Sequence, residues 1–103
     1  MLRSIPLRTF DAPISDTENL TSAMLFRTAV SAPKQGGVTV DSMRRAMIVL
    51  DGLDKASDAL LLDEAHWQFL RDAMNTCPWG AFSPHIVTAT DDVINAEKVD
   101  PNK

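Results

Sequence analysis

Cysteine occurs once in the 103 residues, so no internal disulfide can form and nothing calls for an oxidising compartment. Glycine numbers only 4 and proline 6, which excludes collagen-like and low-complexity chains. Basic residues are also few. Ten Lys and Arg against 14 Asp and Glu leave a net charge of −4, a poor start for gripping a phosphate backbone. No apolar run approaches the roughly 20 residues that span a bilayer, and no signal-peptide core follows Met1. No membrane association is therefore expected.

What remains is ordinary globular material, 45% hydrophobic and 23% charged, enough for one domain and not two. The start differs from the rest. Ile5-Pro6-Leu7-Arg8-Thr9-Phe10 reads as a strand or extended arm, and Pro6, which lacks a ladder donor, predicts an edge strand or a segment laid on something else. Asp11-Ala12-Pro13 reads as a turn, and the polar residues Ser15 to Asn19 could return the chain as a hairpin. Helical signals follow. Thr21 to Ala32 is apolar nearly all round, as expected of a helix buried on more than one side, with Thr21 or Ser22 as N-cap and Pro33 as its stop. The linker from Ser31 to Gly37 is the clearest loop.

A second helix is predicted over Asp41 to Ser57, capped by Thr39 or Asp41. Met43, Ala46, Met47, Leu50 and Leu53 form its stripe, which Ile48 and Val49 widen. Ala59 to Leu62 fits a strand or a buried link. Asp63 caps a third helix over Glu64 to Thr76, and Ser83 with Pro84 at N1 opens a last helix through Ala96. The predicted class is mainly α: a four-helix domain over residues 20–98, preceded by an extended arm or short β-hairpin over 1–19 and followed by a tail over 99–103. Charge is split along the chain. Residues 1–50 carry net +2 and residues 51–103 net −6, a pattern that suits docking to copies or partners of opposite potential.

Tests for chemistry come back empty. Asp63-Glu64-Ala65-His66 matches a helicase string, but no G-x-x-x-x-G-K-[ST] loop exists to hold a nucleotide beside it. His66, His85 and Cys77 show none of the paired spacings that zinc sites use. Cys77 falls at a helix C-terminus, whose negative partial charge opposes an activated thiolate. The carboxylates from Asp51 to Glu64 lack the sixth-position glycine and twelfth-position glutamate of a calcium loop. No catalytic, cofactor-binding or metal-ligating residue is therefore assigned, and no enzyme or cofactor is expected. Partner-binding candidates are the arm residues Ile5, Leu7 and Phe10, the basic pair Arg44 and Arg45, and the aromatics Trp67, Trp79 and Phe82, since Trp is a common interface anchor.

Three stretches carry a resemblance: Thr9-Phe10-Asp11-Ala12-Pro13-Ile14 before a polar gap and the helix Leu20 to Val30, a middle helix, and Leu60-Leu61-Leu62-Asp63-Glu64 running into Leu70. This layout resembles short uncharacterised proteins of tailed phages and prophages. It implies a small, non-enzymatic, acidic protein with a structural or particle-assembly role, found in the host cytoplasm or on the virion and contacting a protein partner or its own copies. The alternative is a small phage or bacterial regulator or inhibitor that binds nucleic acid or a host enzyme, in which Arg44, Arg45 and Arg71 would matter.

Overall fold

Leu60 and Leu62 alternate with Leu61 along Ala59–Asp63 (β4), and this two-residue period puts the first pair inside and Leu61 outside. The strand pairs antiparallel with Leu2–Pro6 (β1), matching Ile5 to Leu60 and Arg3 to Leu62. On its other side β1 pairs with Glu97–Val99 (β5), giving the sheet order β4-β1-β5. The computed structural model describes residues 2–32, 37–79 and 83–99. Between β1 and the helices, Thr9–Pro13 (β2) and Asn19–Thr21 (β3) form a two-stranded antiparallel sheet. Its turn is closed by Ile14 and Ser15 N–H groups donating to the Glu18 carbonyl and by Ser15 Oγ accepting from the Glu18 N–H.

The described residues also form four helices: Ser22–Ser31 (α1), Val40–Lys55 (α2), Glu64–Thr76 (α3) and Pro84–Ile94 (α4). Caps set three of the starts, because side-chain oxygens satisfy N–H groups that a first helical turn cannot. Thr21 accepts from Met24, Thr39 from Ser42 and Asp63 from His66. The fourth start relies on Pro84 at N1, without a side-chain bond from Ser83.

The molecule is thus a small α/β domain with two antiparallel sheets, not the mainly α, four-helix domain with an appended arm or hairpin that helical periodicity predicts. The strands are only three to five residues long, too short for a two-residue alternation to stand out. Nor is β1 an edge strand. The Leu7 N–H donates to Asp58 O, so the Pro6 nitrogen faces the opposite side, where β5 pairs only as far as Ser4. Pro6 sits just beyond its neighbour, and the missing donor costs no ladder bond. The residues expected to fray divide differently: Val99 belongs to β5, while 100–103 lie outside the described residues, as do 33–36 of the predicted linker.

The core joins Ile5, Leu60 and Leu62 of the sheet to Phe26, Ala29, Val49, Leu53, Leu70, Met74 and Val93 of the helices. Helix α1 packs on α2, α3 and α4, which accounts for its apolar circumference. Polar bonds also tie elements together inside. Trp67 Nε1 donates to Val93 O at 2.7 Å, linking α3 to α4. The buried Ser22 accepts the Arg8 N–H at Oγ and donates its own N–H to Arg8 O.

Candidate docking face

Helix α2 carries more apolar residues than one buried face can use. Val49 and Leu53 are buried against the core. Beside them Gly52 lets the helix approach β4, for a Cβ there would stand 3.1 Å from Leu60 Cδ1. At 100° per residue the opposite side of the helix is lined by Val40, Met43, Met47 and Ile48. All four are exposed, Met47 to 67% and Val40 to 61%, whereas Val49 is at 0%. Met43 and Met47, two of the five stripe residues predicted from sequence, therefore point away from the core.

Next to this stripe lies a groove of ≈ 310 Å³ between the end of α1 and the start of α2, lined by Val30, Ala32, Val38, Met43, Ala46 and Met47. Thr39 holds the entry to α2 by accepting the Ser42 N–H at 3.1 Å. Asp41 in the first turn and Lys55 in the last match the helix dipole. Apart from the hydroxyl of Ser31, which also lines the groove, groove and stripe present methyl, methylene and thioether groups. Such a surface gains free energy by removing apolar area from water, and methionine adapts its shape to what it meets.

Charge borders the stripe. Arg45 pairs with Asp41 at 3.3 Å, Lys55 with Asp51 at 2.9 Å, and Arg27 of α1 with Asp54. The bond to Asp51 raises the Lys55 pKa. Arg44, exposed on the same side as Met47, forms no ion pair among the described residues.

The candidates read from sequence are dispersed. Ile5, Phe10 and Trp67 are buried core residues, and Leu7 is half-buried against them. The Phe10 ring stacks on His85 with centroids 4.8 Å apart. Trp79 is half-buried and donates Nε1–H to Met74 O at 3.3 Å. Phe82 lies outside the described residues. Only Arg44 and Arg45 stand exposed, and both flank the α2 stripe.

The acid-rich start of α3 is also structural. Asp63 accepts the His66 N–H at 2.8 Å, and this backbone bond, with the His66 ring, holds its carboxyl below the ordinary range. Glu64 is lowered by a two-point bond to Arg3, at 2.9 and 3.0 Å. Arg3 in turn lies 3.9 Å above the Trp67 ring and donates to Ala96 O. Burial pushes the Cys77 thiol up, away from thiolate reactivity. Among the described residues no group of three or more His, Cys, Asp and Glu could hold a metal ion, and no helix is long and apolar enough to cross a membrane.

Comparison with protein-family models, with curated proteins and with solved structures found no match.

The stripe did leave a trace in the sequence. Val40, Met43, Met47 and Leu50 recur with alternating steps of three and four, a second apolar seam beside the inward one. Ile48 and Val49, which widen the face, signal the same excess.

Proposed function

We propose that this chain is a small non-enzymatic docking protein whose contact surface is the outward face of α2. The observation that carries this reading is the exposure of Val40, Met43, Met47 and Ile48 on a helix already anchored through Val49 and Leu53. A soluble domain gains nothing from solvating a helix on two apolar sides, and contiguous exposed apolar surface marks contact sites. A structural or assembly role in a phage particle, the setting implied by the sequence resemblance, belongs to this proposal. So does residence in the host cytoplasm or the virion.

The regulator reading has less support. Arg45 is engaged with Asp41, and Arg71 lies 4.9 Å over the Trp67 ring, which leaves Arg44 as a very small basic footprint.

The test compares affinity isolation from producing cells by the wild-type chain and by Met43→Lys/Met47→Lys, with folding checked by circular dichroism. Docking through α2 predicts partners that the wild type retains and the double variant loses. Equal retention by both overturns the assignment of the face. A parallel titration with DNA across a salt series is expected to show no salt-dependent binding.

A further inference from the structure

Resting on the docking reading above, we infer that the occupant of the α2 face is a second copy of the chain, with the two α2 helices packed antiparallel about a two-fold axis beside Met47 and Ile48. Val40, Met43, Met47 and Leu50 keep the alternating three-and-four spacing of a left-handed two-helix seam. Val40, Met43 and Met47 are exposed and Leu50 half-buried. About an axis beside Met47 and Ile48, each exposed Met47 meets Ile48 of the other copy, a contact that the two-fold makes twice.

Charge fixes the direction. The first half of α2, residues 40–47, holds Asp41, Arg44 and Arg45, and the second half, 48–55, holds Asp51, Asp54 and Lys55. One half is net positive and the other net negative. Antiparallel packing lays each half beside its opposite, whereas parallel packing lays like on like, and charges flanking a helix seam set orientation in this way. Arg44, without an ion pair among the described residues, comes beside Asp51 of the other copy, and the two-fold makes that contact twice. The Asp51 side chain is 64% exposed and, among the described residues, is paired with Lys55 across one helical turn, which leaves it room for a second cation.

A second open surface argues against itself. The outer edge of β4 is unpaired in the sheet, but pairing two such edges antiparallel about Leu61 would crowd Asp58, Asp63 and Glu64 of both copies together. Helix α2 is about 24 Å long, and a single helix seam falls short of the roughly 800 Å² per partner typical of stable complexes. The dimer is therefore weak and dependent on concentration.

Sedimentation of the full chain across a concentration series is expected to show a monomer–dimer equilibrium. Arg44→Asp and Asp51→Arg should each weaken it about ten-fold, and the double swap should restore it. Restoration is the signature, since damage to the fold would not be repaired by a second surface change. A photoreactive residue at position 47, irradiated in producing cells, separates this inference from the reading beneath it. An adduct of twice the chain mass supports self-pairing. An adduct with a different protein overturns self-pairing and leaves the docking face standing. No adduct overturns both.

Discussion

Arg3 and Trp67 together hold three elements, and neither could be assigned that role from its neighbours in sequence. Arg3 leaves β1, covers the indole of α3, clasps Glu64 and reaches the carbonyl of Ala96 just before β5. Replacing Trp67 by Phe removes the bond to Val93 O and some volume, and is expected to cost about 1–2 kcal/mol in urea denaturation. Acid should act at the same corner. Glu64 and Asp63 both have folded pKa values below their ordinary 4.5 and 3.8, so the stability they lend is complete above those values. It is lost as pH falls through the depressed ones. Thermal melting is therefore expected to hold steady from neutrality to about pH 5 and to decline below about 4.5. Asp63→Asn with Glu64→Gln should flatten that decline. The sequence shows Asp63 as a cap because a cap needs only local spacing. The grip of Arg3 on Glu64 spans 61 positions, and no local pattern encodes it.

Helix α2 shows both what periodicity can and cannot tell. Its start at Thr39 and its dipole charges are local properties and are legible in the chain. Which of its two apolar sides faces inward depends on β4, whose close approach is permitted by Gly52. Gly52→Ala tests this. Helix propensity alone predicts a gain of about 1 kcal/mol, but the new Cβ presses on a fully buried Leu60, and overpacking of a core costs about 1–3 kcal/mol. A net loss of about 1 kcal/mol is expected from the shift in denaturation midpoint. By contrast Met47→Lys, on the outward side, should leave monomer stability within about 0.5 kcal/mol. The short strands stayed hidden for a different reason. A three-residue element such as Glu97–Val99 has two side chains on one face and one on the other, and its identity comes from pairing with β1.

Across the whole molecule, the first strand is central. It joins β4 and β5, and the helices that pack beneath it, so removing residues 1–14 is expected to abolish the cooperative thermal transition rather than trim a loose end. The circular dichroism signal of that truncation should lose its sharp melt, and a retained sharp melt would show that the helices form a core of their own. The pairing of Arg3 with Lys98 also has a bearing on biosynthesis. On the ribosome, β1 has no inner neighbour until residues 59–63 emerge and stays open along its other margin until 97–99 follow. Folding of this domain is thus a late event, completed only after nearly every described residue has left the exit tunnel.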